Sequence, residues 1–151
     1  MNDLRDLYQE VIFDHNRNPR NFGEMDDGNR SARGDNPLCG DQLTLYLKVN
    51  KDNVIEKIKF NGHGCAISTA SASIMTEMLK GKTMAEAESL FNEVHDYITS
   101  ESGSDTDSSE LGKVQVLGGV RDYPSRVKCA TLAWHTAHAA IAGSKDPATT
   151  E

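Results

Sequence analysis

The chain has 151 residues and a formal net charge of -7, with 37% hydrophobic and 6% aromatic residues. That length suits one domain with an aliphatic core, no apolar run is long enough to span a bilayer, and the acidic balance speaks against nonspecific nucleic-acid binding, which needs a basic face. The N-terminal Met1-Asn2-Asp3-Leu4-Arg5-Asp6 lacks the basic and apolar regions of a signal peptide. An odd number of cysteines does not suit a secreted disulfide framework. A reducing cytoplasm is the expected location.

Residues 3–14 predict an amphipathic helix, with Leu4, Leu7, Tyr8, Val11 and Ile12 at helical spacing. The stretch Asn16 to Asn21, with Pro19, ends it. Residues 22–36 are rich in Gly, Asp, Asn and Arg without apolar period, which predicts a loop. Residues 42–49 alternate, Leu43, Leu45, Leu47 and Val49 facing one way, as a half-buried strand does. A turn at Asn50-Lys51-Asp52-Asn53 leads to a second strand from Val54 to Phe60, with Val54, Ile58 and Phe60 on one face. Gly62-His63-Gly64 predicts a flexible bend into Cys65. Residues 66–79 return to helical period through Ile67, Ala70, Ile74 and Met78, and Gly81 stops that helix.

Thr83 and Glu86 have capping-box spacing ahead of a third helix with the stripe Met84, Ala87, Phe91, Val94 and Ile98. Residues 100–109 predict a mobile polar loop, and 111–120 a short helix. Pro124 begins a last helix to Ala142, striped by Val127, Thr131, Trp134, His138 and Ile141. The expected fold is α+β, a small antiparallel sheet packed against several helices. One domain spans 1–142, and 143–151 is a flexible tail.

All three cysteines fall in short glycine-containing or basic motifs: Asn36-Pro37-Leu38-Cys39-Gly40-Asp41, Gly62-His63-Gly64-Cys65 and Arg126-Val127-Lys128-Cys129. Cys39, Asp41, Cys65 and Cys129 supply three thiols and a carboxylate, enough for a tetrahedral zinc site. Cys65 stands at a predicted helix start, where unpaired N–H groups favour a thiolate. Three thiolates and a carboxylate around a divalent cation leave net negative charge, which Arg33, Arg126 or Lys128 can offset.

The site can be structural or reactive. A purely structural zinc knot favours paired C-x-x-C ligands, and none occur here. A hard carboxylate among thiolates leaves coordination open to exchange, and exchange frees a nucleophile. Cys39, in a Gly- and Pro-containing loop, is the best candidate. The rival is a scaffold for an iron–sulfur cluster, because thiolates are also cluster ligands.

These motifs, in this order along nearly the whole chain, resemble the IscU/NifU N-terminal family of iron–sulfur assembly proteins, and within it the SufU branch. Lys128 stands before the third cysteine where the scaffold branch carries a metal-ligating His. Residues 82–122 include a long segment that the scaffold branch has in shorter form, and its Leu-Pro-Pro-Val-Lys segment is absent. The resemblance implies a zinc-dependent sulfurtransferase partnered by a SufS-type cysteine desulfurase. Zinc would be held by Cys39, Asp41, Cys65 and Cys129. A desulfurase histidine would replace Cys39 on the metal, and Cys39 would then accept persulfide sulfur for a downstream iron–sulfur scaffold. Arg126 would steady Asp41 or the released thiolate. The alternative is an IscU-like scaffold carrying iron or a [2Fe-2S] cluster.

Other residues read as structural. His63 is an exposed bend residue. His135 and His138 are three apart, but with no acidic neighbour they pack rather than bind metal; His15 and His95 join no constellation. Met75, Met78 and Met84 fill core. Arg17, Arg20, Arg30 and Arg33 belong to a solvated surface or an interface rim. Ser71 and Ser73 lack a histidine in suitable context.

Overall fold

The computed structural model describes residues 3–37, 40–99, 117, 124–143 and 148–149. Its elements are α1 (Asp3–Arg17), β1 (Arg30–Asn36), β2 (Asp41–Val49), β3 (Ile55–His63), α2 (Ala66–Leu79), α3 (Met84–Thr99), α4 (Pro124–Ala142) and β4 (Ala148–Thr149). The sheet order is β3-β2-β1-β4. Strands β1, β2 and β3 are antiparallel, and β4 adds a short parallel edge through Gly34↔Ala148 and Asp35↔Thr149. The C-terminal segment, expected to be a flexible tail, thus returns two residues to the sheet.

One face of the sheet carries Leu43, Leu45, Leu47 and Val49 from β2 with Ile55, Ile58 and Phe60 from β3, all buried. The opposite face carries Ser31, Arg33, Gln42, Lys57 and Lys59, all exposed. Helix α4 packs on β1 and β2, α2 on β3, α1 on α2, and α3 on α4. Helices segregated to one face of an antiparallel sheet make an α+β domain, as expected. Among the described residues no helix is long and apolar enough to cross a membrane.

Strand β1 replaces the loop expected over its residues. Its inward positions are Ala32, Gly34 and Asn36, all buried, so no large apolar side chain marks it. The smallness has a packing cause. A Cβ on Gly34 would overlap Thr136 Oγ1 and lie 3.1 Å from Leu132 Cδ1, so only glycine lets α4 sit this close to the strand.

The β2–β3 turn forms as expected, with Asn53 at φ 62, but a register shift between Lys48 and Val49 changes which residues face inward. Val49 pairs with Ile55, so Ile55 rather than Val54 is buried beside Ile58. Strand β3 also runs through Gly62 and His63, paired with Leu43 and Gln42, where a bend was expected. His63 is exposed.

Helix α1 runs three residues beyond its expected end, and Val11 and Ile12 pack partly buried against the core. The Leu4, Leu7 and Tyr8 side chains lie outside the described residues. Helices α2 and α4 start and stop where the sequence places them, but both are buried on more than one stripe. Ser71, Ser73, Met75 and Thr76 are buried in α2, and Cys129, Leu132, Thr136 and Ala140 in α4. In α3 the capping box is present: Thr83 N–H donates to Glu86 Oε1 at 2.9 Å, and Glu86 N–H to Thr83 Oγ1 at 3.1 Å. The expected loop 100–109 and helix 111–120 lie outside the described residues except Leu117, which is buried.

Candidate metal centre

The last pair of the β1–β2 ladder is Asn36↔Asp41, and residues 37–40 connect the two strands. Gly40 has φ 72, and its N–H donates to the Asn36 carbonyl at 2.9 Å, which closes the connection. Alternation along β2 turns Asp41 to the same face as Leu43 and Leu45, so the carboxylate points at the helices and is buried. Cys65 is the N-cap of α2, with φ -70 and ψ 168, and its Sγ accepts the Ser68 N–H at 3.4 Å. The expectation of a helix-start cysteine therefore holds, and the first-turn N–H dipoles face that sulfur. Cys129 lies in the second turn of α4, buried.

These three residues meet. One donor atom each from Asp41, Cys65 and Cys129 all lie within 4.8 Å of one another. Two thiolates on one tetrahedral zinc ion sit about 3.8 Å apart, given Zn–S bonds of ~2.3 Å, so the cluster closes on an ion with shifts of about 1 Å. Two thiols and a carboxylate fit zinc, and a fourth ligand would complete the tetrahedron. Cys39, the fourth ligand expected from the sequence, lies outside the described residues, within the connection 37–40.

Both oxygens of Asp41 are already held. Oδ1 accepts the Cys65 backbone N–H at 2.8 Å, and Oδ2 accepts Asn36 Nδ2 at 3.0 Å. Asn36 Nδ2 also donates to Cys129 Sγ at 3.6 Å. Neutral N–H donors thus supply part of the compensation that the sequence suggested basic residues would give. Arg33 sits on the open face of β1, 3.7 Å from Asp35. Arg126 is exposed on the first turn of α4, one turn before Cys129, and Lys128 is half-buried. Gly64 belongs to the site as well: a Cβ there would lie 2.6 Å from Asp41 Oδ1. Neither Asn36 nor Gly64 was assigned a role from sequence, although both lie inside the cysteine motifs.

The model of the NifU-like N-terminal domain matches residues 7–130. The chain belongs to that family. Family members similar to it include the zinc-dependent sulfurtransferase SufU of Bacillus subtilis, 41% identical over 92% of both chains. The iron–sulfur cluster assembly scaffold protein IscU of Streptococcus pyogenes is 39% identical, over 91% of this chain and 84% of that protein. Among solved structures, a protein of Fervidobacterium islandicum described as an iron–sulfur cluster assembly scaffold for the SUF system superposes with a TM-score of 0.81. It is 35% identical, over 91% of this chain and 98% of that one. The resemblance to the IscU/SufU family therefore holds over almost the whole chain, and its relatives divide between a sulfurtransferase and cluster scaffolds.

Two other constellations differ from expectation. His15 Nδ1 lies 2.7 Å from Ser73 Oγ, and His15 Nε2 lies 3.6 Å from Glu77 Oε1. Ser73 does have a histidine, then, but the serine is fully buried and also accepts the Arg20 backbone N–H at 2.8 Å. The group fastens α1 to α2 and offers no substrate access. Ser71 is likewise structural, donating to the Ala130 carbonyl of α4 at 2.6 Å.

His138 does have an acidic neighbour, with Nδ1 2.6 Å from Glu88 Oε1 on α3. Its ring stacks on Phe91 at 4.7 Å, and His95 and His135 lie edge to face at 5.4 Å. His95 thus joins a cluster that the sequence did not suggest, because its neighbours come from another helix. Among the described residues, the Asp41–Cys65–Cys129 group is the one that brings three such donors together. Burial first, then the charges of His95 and His138, hold His135 below the usual imidazole range.

Proposed function

We propose that this protein is a sulfurtransferase that takes persulfide sulfur from a SufS-type cysteine desulfurase onto Cys39, with zinc held by Asp41, Cys65, Cys129 and Cys39. Membership of the family places it in iron–sulfur cluster assembly. The carrying observation is the convergence of Asp41, Cys65 and Cys129 within 4.8 Å, from a strand, a helix cap and a second helix. Zinc, when bound, would keep the thiols ionised at neutral pH.

The chain's own residues supply the rest. Cys39 Sγ attacks the terminal sulfur of the desulfurase persulfide. A new S–S bond forms as the old one breaks, the electron pair leaves on the desulfurase cysteine, and no net oxidation occurs. Asp41 is clamped through both oxygens and stays in place. Arg126, exposed one turn before Cys129, steadies the Cys39 anion. A downstream iron–sulfur scaffold receives the sulfur, and a reducing cytoplasm keeps Cys39 a free thiol between turnovers.

The second reading is a cluster scaffold. It is supported by the IscU relatives and by a donor set that also suits iron. Lys128, beside Cys129, favours the transferase because an ammonium cannot ligate. Desulfurase turnover with zinc-loaded protein separates the two. Strong stimulation by the wild type and none by Cys39→Ala supports sulfur transfer. Stimulation that survives the substitution, or none with the wild type, favours the scaffold. Arg126→Ala should slow transfer while leaving zinc affinity unchanged.

A further inference from the structure

Asn36 is fully buried, and its backbone is pinned twice, by the ladder pair with Asp41 and by the Gly40 N–H on its carbonyl. Its side-chain nitrogen faces two ligand atoms, Asp41 Oδ2 at 3.0 Å and Cys129 Sγ at 3.6 Å. A carboxamide nitrogen carries two hydrogens, one for each. The reversed amide would set an oxygen against a carboxylate and a sulfur, acceptor against acceptor, so the donor orientation is the one an ionised site permits.

We propose that Asn36 is a positioning residue that ties Asp41 and Cys129 together as spectator ligands, leaving sulfur chemistry to the remaining thiols. This rests on the metal-centre reading above. An N–H donated to a thiolate withdraws charge from sulfur, which makes it a weaker nucleophile and a less labile group in a negatively charged site. The same nitrogen fixes the carboxylate plane of Asp41, with the Cys65 N–H holding the other oxygen. Asn36 thus ties its near neighbour Asp41 to Cys129, which lies 93 residues beyond Asn36 along the chain, before an ion arrives.

Zinc competition against a chromophoric chelator, together with the absorption of the cobalt-loaded protein, tests this. Asn36→Ala should raise the zinc dissociation constant about 10- to 100-fold, as loss of a supporting hydrogen bond does. It should also move the sulfur-to-cobalt charge-transfer bands to lower energy, because the thiolate regains charge. Alkylation of Cys129 in the metal-loaded variant, read by mass spectrometry, should become faster. Asn36→Asp keeps the shape and removes both hydrogens, so it should act in the same direction.

Folded variants whose zinc affinity lies within twofold of wild type, with unmoved charge-transfer bands, would overturn the proposal. A purely packing role would lower the stability of the metal-free protein and leave those bands in place. The wild type loaded with NMR-active cadmium gives a readout that needs no substitution. A correlation between cadmium and the Asn36 amide proton is expected through the N–H···S contact, and its absence counts against the proposal. A wild type that binds no metal sinks the metal-centre reading and this inference together. Tight wild-type binding with an unchanged Asn36→Ala sinks this inference alone.

Discussion

Replacing Gly64 with alanine adds one methyl group directly against the Asp41 carboxylate of the candidate metal centre. The φ of Gly64 lies outside the left-handed region, so the substitution acts through space alone. The new Cβ would stand 2.6 Å from Asp41 Oδ1, 3.1 Å from its Cγ and 3.2 Å from its Cβ, where ordinary contact begins at 3.4 Å. The carboxylate must therefore retreat by about 0.8 Å. Closing the donors on an ion already takes shifts of about 1 Å, and a further displacement of similar size exceeds the roughly 0.2 Å that a metal–ligand distance tolerates, so Asp41 coordinates poorly and its bond to the Cys65 N–H lengthens. Loss of a well-placed supporting contact weakens a metal site about 10- to 100-fold, or roughly 1.4–2.7 kcal/mol. We expect the zinc affinity of Gly64→Ala to fall at least that far.

Overpacking should also cost the metal-free protein about 1–3 kcal/mol. Chelator competition reads the first effect and urea denaturation of the metal-free protein the second. Gly81→Ala is the control: Gly81 has φ +86 with nothing within 4 Å of a Cβ. Backbone strain should cost it about 1 kcal/mol without touching zinc affinity. Wild-type affinity in Gly64→Ala, within threefold, would refute the reasoning.

Thr83→Ala should destabilise the protein by about 1 kcal/mol through loss of the α3 cap, measured by urea denaturation, with zinc affinity unchanged. The Thr83 bonds hold the Glu86 carboxyl below its usual range. The stability it contributes is present above the unfolded value and lost as pH falls through the folded one, so Glu86→Gln should matter less in acid. His135 behaves in the opposite sense. Its proton affinity is lowered in the folded state, so the unfolded chain gains the proton first, near pH 6.5, and stability should fall from there toward the folded value. His135→Gln should flatten the dependence of the urea midpoint on pH between about 5 and 7; an unchanged slope would refute this assignment. His15→Ala should cost roughly 3 kcal/mol, as a cavity opens beside Ser73 and Glu77. Faster amide exchange should be confined first to α1; uniform loosening of the whole domain would count against a local fastening role.

Strand β2 and helix α4 were legible because each carries its own signal, a strict Leu/Val alternation in one and Pro124 at the start of the other. Strand β1 carried none. Its inward residues are small because α4 presses on Gly34, a contact between segments far apart in sequence. Ile55 displaced Val54 from the inner face through a register shift that only the pairing of two strands creates. The site divides the same way. Asp41, Cys65 and Cys129 stand out because cysteines are few and each lies in a distinct motif. Asn36 does not, since an amide gains its role from partners that the sequence does not place beside it. His15 and Ser73 were missed for the same reason: a hydrogen bond across 58 residues leaves no local mark.

The three converging ligands belong to segments that meet only after folding. Asp41 and Cys65 are 24 residues apart, and Cys129 lies far beyond both. A bound ion would therefore act as a removable cross-link, closing two loops of the chain at one point. Ordering those loops is costly in the unfolded state, and an ion that prefers the native arrangement draws the equilibrium toward it, by about 2.7 kcal/mol at a free concentration 100 times the dissociation constant. The free concentration of whichever ion binds there would then set not only the occupancy of the centre but also the resistance of the chain to proteolysis.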